Sequence, residues 1–193
     1  MTERKEHILH CAQRLFDRYG YENVTIREIA SESHSSIGSI YHYFRDKSEL
    51  LTWWFDQTDT RYQEARRIIT ETPRSGERPS LGRLKEFFVQ VQVICTEFGE
   101  QALRVSYLNG LKYPDINSMR INRERILYKI FIEMVGKCRE EGSISSTLSD
   151  DEIFEQFVII SRGLLVDWLV RRGEFEMVVK SAVAFDIMLR GLS

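Results

Sequence analysis

Histidines and cysteines are the side chains best suited to metal or covalent chemistry, and their positions in this chain of 193 residues exclude most of it. His7, His10, His34 and His42 all fall in the first quarter. His7 and His10 stand three apart, as two ligands on one helix would. No carboxylate or further histidine follows at ligand spacing, so a solvated helix face is expected and no metal. Cys11, Cys95 and Cys138 are odd in number, far apart and without a Cys-x-x-Cys pair. A disulfide framework or zinc site is therefore not expected, and buried free thiols in a reducing cytoplasm are. Past His42 no nucleophile can find a histidine partner within its own segment. Glu133 with Glu140, or Asp150 with Asp151, could be an acid/base pair, but no glycine-rich phosphate loop accompanies them. An enzyme is a minor alternative; no catalytic residue and no cofactor are expected.

A second group of residues suits a different chemistry. Ser35, Ser36, Gly38 and Ser39 are small and mostly hydroxylated, and Tyr41, His42 and Tyr43 follow directly. Small residues let a helix start approach a phosphate or base edge closely, and its free N–H groups favour an anion. Hydroxyl and imidazole groups donate to phosphate oxygens. Lys47 can add a charge contact just beyond.

The elements that must position these groups are helical. Ile8, Cys11, Ala12, Leu15, Phe16 and Tyr19 form one apolar stripe over residues 4–19, and Gly20 can stop that helix with positive φ. Thr25-Ile26-Arg27-Glu28 is a capping box opening a short helix that ends near Glu32, with Ile26, Ile29 and Ala30 inward. Ser33-His34-Ser35 is a polar turn. A third helix runs from about Ser36 to Phe44 with Ile40 and Phe44 inward, and Asp46 caps a longer one from Lys47 to about Thr70. Helix, three-residue turn, helix is the helix-turn-helix pattern.

These residues resemble the TetR family of bacterial regulators. The resemblance rests on Ile8-Leu9, Ala12, Leu15-Phe16 and Gly20-Tyr21, then Thr25 to Ala30, then Gly38-Ser39-Ile40-Tyr41-His42-Tyr43-Phe44-Arg45-Asp46-Lys47-Ser48-Glu49-Leu50-Leu51. It covers about residues 4–52. Length and the ending Arg190-Gly191-Leu192-Ser193 are similar to the multidrug-binding repressors of that family. Two positions depart from it: His34 stands where the turn often holds Gly, and tolerates left-handed φ better than most residues. Ile37 stands where Lys is common, and could meet a thymine methyl instead. The resemblance implies that Thr25, Ser35, Ser36, Ile37, Gly38, Ser39, Tyr41, His42, Tyr43 and Lys47 contact double-stranded operator DNA. Thr25 would cap and touch phosphate, residues 36–39 would face base edges or backbone, and Tyr41, His42, Tyr43 and Lys47 would hold phosphates.

Past this segment, Glu71 to Ser80 holds two prolines and a glycine and reads as a loop, with Ser80 capping the next helix. Helices are expected at about 81–98, 100–111, 115–141, 149–171 and 174–191, with a loop over 141–146. The fold expected is all-α, about nine helices. A three-helix DNA-binding domain would span 1–46 and a larger helical ligand-binding and dimerisation domain 47–193, connected by helix 47–70. Helix 153–170 is apolar on nearly every face and must be covered on every face. With helix 174–191 and a second copy it would form a four-helix homodimer interface, as the family resemblance also implies. Two reading helices would then meet half-sites of a palindrome about 34–36 Å apart. The resemblance further implies an inducer cavity, with Phe88, Gln92, Tyr107, Asn109, Tyr128 and Trp168 as its expected lining. Asp167 could balance a cationic ligand, but is expected to be exposed or paired with an Arg such as Arg162 or Arg171.

Composition is consistent with this reading. Lys and Arg number 27 against 29 Asp and Glu, so no globally basic coat is present. Residues 1–50 hold seven basic side chains (4, 5, 14, 18, 27, 45, 47) and eight acidic ones (3, 6, 17, 22, 28, 32, 46, 49). Non-specific DNA affinity is therefore expected to be weak and salt-sensitive, leaving more of the discrimination to the fit of the short helix. The first residues lead into no apolar run, so no secretory leader is expected, and a cytoplasmic location is. The expected function is a DNA-binding regulator, most simply a repressor released from its operator by a small apolar or aromatic molecule. A ligand-independent DNA-architecture protein of the same fold is the alternative.

Overall fold

The computed structural model describes residues 3–73, 79–112 and 122–193; within these, the side chains of 17, 51–57, 101, 102, 109, 110 and 112 lie outside the description. The described residues form nine α-helices and no strand. These are α1 (Glu3–Tyr19), α2 (Ile26–Glu32), α3 (Ile37–Tyr43), α4 (Trp53–Glu71), α5 (Pro79–Thr96), α6 (Glu100–Lys112), α7 (Ile126–Glu140), α8 (Asp150–Val170) and α9 (Met177–Arg190), with a 3₁₀ segment, Lys47–Thr52, before α4.

The stripe on α1 does what its spacing requires. Ile8, Leu9, Ala12 and Phe16 are buried with Val24, Ile29, Ala30, Ile40, Phe44 and Leu50 in one small core. Gly20 ends α1 at φ +80°, its N–H donating to the Phe16 carbonyl at 2.9 Å. The larger core is aromatic. The Phe88 ring lies 5.3 Å from Phe131, 4.6 Å from Phe157 and 5.0 Å from Phe185, tying α5, α7, α8 and α9 together. The buried Leu192 closes one end, its carbonyl accepting from the N–H groups of Ser145 and Ser146 at 3.0 Å.

Several boundaries differ from the sequence expectation. The long helix expected from Lys47 begins as the 3₁₀ segment, where the Asp46 carboxylate accepts the N–H of Ser48 at 2.8 Å and of Glu49 at 3.2 Å. Ser80 does not cap α5, which starts at Pro79; the Ser80 hydroxyl donates to Glu141 at 2.6 Å. Pro79 suits a first helical turn because its missing N–H would be unpaired there. The start of the helix expected over 115–141 lies outside the described residues; from 122 onward a turn at 123–125 precedes the helix that begins at Ile126. The helix expected from 174 begins at Met177, because Arg172 and Gly173 both turn to positive φ. A Cβ at Gly173 would stand 3.1 Å from the Trp168 ring, so the turn and the indole require glycine there.

Candidate nucleic-acid interface and internal cavity

The reading head is built from local hydrogen bonds. The Thr25 hydroxyl accepts the Glu28 N–H at 3.2 Å, and the Glu28 carboxylate takes the Thr25 N–H at 2.7 Å and its hydroxyl at 2.8 Å. These bonds from Thr25, with Lys47 nearby, hold the Glu28 carboxyl below the usual range. In the turn, His34 takes φ +47°, as its position requires, and the buried Ser33 hydroxyl donates to the Ile29 carbonyl at 2.7 Å. The Ser35 N–H donates to the Ala30 carbonyl at 2.9 Å. Ser36 caps α3, its hydroxyl accepting the Ser39 N–H at 3.0 Å. Ile40 is fully buried and Phe44 nearly so, which fixes the roll of α3 against α1 and α2.

That roll turns the expected residues outward. Thr25, Ser36, Ile37, Gly38, Tyr41 and His42 are exposed, with Ile37 at 41% and Tyr41 at 54%. Ser35, Ser39 and Tyr43 are half-buried, and Tyr43 packs against the small core with its ring edge-on to His42 at 5.0 Å. A Cβ at Gly38 would meet only the Ser36 hydroxyl, at 3.8 Å. Nothing within the protein therefore requires glycine at that exposed point. Lys47 stands apart from the others. Its ammonium donates to the Tyr21 carbonyl and lies 4.0 Å from the Tyr21 ring centroid. Burial lowers its pKa, against the pull of Glu22 and Glu28, and burial beside Asp46 and Glu22 pushes the Tyr21 phenol up to about 12. One exposed cation was missed by sequence reasoning. Arg27, in the first turn of α2, makes no ion pair among the described residues. Its signal was available as the one basic residue inside the capping box.

A cavity of about 80 Å³, open on one side, lies in the helical body. Thr58 and Tyr62 of α4, Gln92 and Cys95 of α5, Leu103, Ser106 and Tyr107 of α6, and Phe157, Ser161 and Leu165 of α8 contribute to its wall. Of the six residues expected to line it, Gln92 and Tyr107 do. Phe88 does not: its ring is spent in the aromatic core. Tyr128 borders a separate cleft, its hydroxyl donating to Asp151 at 2.6 Å. Trp168 packs over Gly173 beside Leu165 and Leu169 rather than into the cavity. The side chain of Asn109 lies outside the described residues. Sequence reasoning missed the small polar wall residues Thr58, Ser106 and Ser161, whose only signal was a hydroxyl on an otherwise apolar stripe.

Three of the four carboxylates weighed as acid/base pairs, Glu133, Asp150 and Asp151, are engaged elsewhere. Glu133 faces Lys137 and Arg66, which hold its pKa down, the opposite of what a general acid needs. Asp150 pairs with Arg139 and Asp151 with Arg123, each at 2.8 Å. Asp167 pairs with Arg171 at 3.1 Å. No described helix is long and apolar enough to cross a membrane, and no three His, Cys, Asp or Glu side chains among the described residues cluster as a metal site would require.

Residues 8–52 match the model of bacterial regulatory proteins of the TetR family. That N-terminal segment is a TetR-family domain. YuxN of Bacillus subtilis, an uncharacterised HTH-type transcriptional regulator, is 27% identical over 148 residues, covering 75% of this chain but only 43% of that protein. The HTH-type transcriptional repressor BepR of Brucella suis is 23% identical over 99% of this chain and 92% of its own. In fold, the chain is similar to FadR of Thermus thermophilus, a TetR-family transcriptional repressor solved in complex with lauroyl-CoA. The TM-score is 0.75 at 20% identity, over 98% of this chain and 95% of that one.

Proposed function

We propose that this protein is a cytoplasmic transcriptional repressor that binds a palindromic operator as a homodimer and leaves it when a small apolar molecule enters the cavity. The observation that carries the reading is the double attachment of α6. Val105 is buried in the small N-terminal core, while Leu103, Ser106 and Tyr107 of the same helix line the cavity. A rigid helix with one face in each compartment transmits a change in either.

The reading head supports the DNA half. Ser36, Ile37, Gly38, Tyr41 and His42 lie exposed on one short helix whose inward face is locked by Ile40 and Phe44. Tyr41 and His42 hold phosphates, and Ile37 with Gly38 meets base edges. Arg27 joins them as a phosphate contact. Residues 1–46 act as the DNA-binding domain and 47–193 as the ligand-binding and dimerisation domain.

The dimer half rests on apolar surface left uncovered. Ile159, Val166 and Val170 of α8 and Val178, Val179, Val183 and Ile187 of α9 are all exposed, Val170 at 74%. Apolar patches of this kind on paired helices mark association surfaces, and a second copy presents the same pair of helices. The ligand half is supported by the partly open cavity and by the similarly folded repressor from Thermus thermophilus that binds lauroyl-CoA.

The discriminating experiment screens small apolar and aromatic molecules for those that raise the melting temperature, then assays each for release of bound operator. Release by a stabilising molecule supports the repressor reading. A ligand can shift the equilibrium only through its preference for one state, about 5.5 kcal/mol to move it from 99:1 to 1:99. Stabilisation with no effect on DNA by any of them favours the ligand-independent alternative.

A further inference from the structure

We infer that the cavity selects a neutral molecule carrying a hydroxyl group, and that Gln92 and Ser161 are the residues that read it. The inference deepens the ligand half of the proposed function and rests on that reading. Gln92 is fully buried, and its Nε2 donates to the Ser161 hydroxyl oxygen at 2.8 Å. Its Oε1 lies beyond contact with water and has no hydrogen-bond partner among the described residues. Both side chains belong to the cavity wall. A buried amide oxygen left unpaired is costly, so such groups persist where something else satisfies them.

The chemistry of that something follows from the pair. Gln92 Oε1 needs a donor, and the Ser161 hydroxyl, having accepted from Gln92, still has a proton to give. A ligand hydroxyl supplies a donor and an acceptor together. It also fits if the amide turns over, since Nε2 then needs the acceptor. A carboxylate fits poorly, because an ion must give up its hydration in a mostly apolar wall whose two guanidinium groups, those of Arg125 and Arg162, are already engaged. The nearby Arg125 guanidinium is already matched by Asp59 at 2.5 Å. The rest of the wall is suited to a hydrocarbon body: Val91, Leu103, Leu127, Phe157, Val158 and Leu165. At about 80 Å³ the enclosed part is smaller than the roughly 150 Å³ of a closed benzene site, so a ring-sized molecule would sit partly in the open side.

The test uses phenol, its near-isostere fluorobenzene, which has no donor, and benzoate, titrated by calorimetry into the full-length protein without DNA. The wild type should bind phenol about tenfold more tightly than either of the others, the size of one good buried hydrogen bond. Gln92→Leu should bring phenol and fluorobenzene to within about twofold of each other, because the leucine has no amide to be satisfied. Ser161→Ala should narrow the same gap without removing the Gln92 side chain. Equal binding of phenol and fluorobenzene by the wild type, tighter binding of benzoate, or no binding of phenol overturns the inference. Because no DNA is present, these outcomes are independent of the repressor reading. Selective phenol binding without operator release would leave the site standing and sink the regulatory role. Operator release by other molecules with no phenol preference would do the reverse.

Discussion

Val105 and Tyr107 stand two residues apart on α6 and belong to different compartments. Val105 is buried among the residues that hold the reading helix, and Tyr107 is in the wall of the cavity. Two residues along a helix is a turn of about 200°, so the two side chains leave on opposite faces. One helix thereby joins the N-terminal core to the cavity wall.

Removing the Val105 anchor should loosen the N-terminal core and leave the cavity intact. Val105→Ala is expected to cost about 1–2 kcal/mol of stability, since the methyl groups it loses are buried against Leu50 and its neighbours. Thermal melts would read the loss. Calorimetry with a cavity ligand should find its affinity unchanged in the variant.

Gly38 separates a folding role from a recognition role. A Cβ there meets only the Ser36 hydroxyl, at 3.8 Å, and alanine is favoured over glycine inside a helix by up to about 1 kcal/mol. Gly38→Ala should therefore melt no lower than the wild type. If the glycine admits a DNA backbone or base edge, the same variant should lose about tenfold or more in operator affinity, the scale of one base contact. An unchanged affinity would remove Gly38 from the interface.

Tyr41 and Lys47, alike in the sequence reading, should behave differently. Tyr41→Ala should weaken binding to all duplexes about equally, while Ile37→Ala should alter which sequence is preferred. Lys47→Met should register first as a lower melting temperature, because its ammonium is held by the Tyr21 carbonyl and ring. Binding selections and melts on the three variants check this division.

This contrast indicates what was legible in the sequence and what was not. The capping box at Thr25, the αL turn at His34 and the inward Ile40 and Phe44 follow from local rules, so the helix-turn-helix could be placed before any coordinates. The orientation of the Lys47 side chain depends on Tyr21, 26 residues away, which no local rule reaches. The cavity is harder still. Phe88 and Tyr107 are both aromatic on amphipathic helices, and only the crossing of α5, α7, α8 and α9 decides that one fills the core while the other faces open space. Gln92 was legible because a long amide on an apolar stripe needs a reason to be buried.

Acid should weaken the reading head through Glu28. Its carboxyl is held below its ordinary value of 4.5 in the folded protein by the bonds from Thr25. A carboxylate with a lowered native pKa adds stability that is present above its unfolded pKa and is lost as pH falls through the native value. Glu28→Gln should therefore melt below the wild type at neutral pH, and the two curves should converge as pH drops below 4.5. Parallel curves down to acid would mean that the charge contributes nothing to the cap.

The uncovered valines on α9 give a test of assembly. Val183→Glu places a carboxylate in the middle of the exposed stripe of Val179, Val183 and Ile187. If a second copy covers that stripe, two like charges meet across the symmetry axis, and sedimentation should show a monomer that binds operator weakly. An unchanged mass would assign the dimer to another surface.

The most direct measurement is selection of random DNA duplexes with the purified wild-type protein, followed by a salt titration on the winner. The expected winner is a palindrome with half-sites about one helical turn apart, bound by two copies, with an affinity that falls as salt rises. No enrichment over random sequence, or a winner without two-fold symmetry bound by a single chain, would contradict the repressor reading at its root.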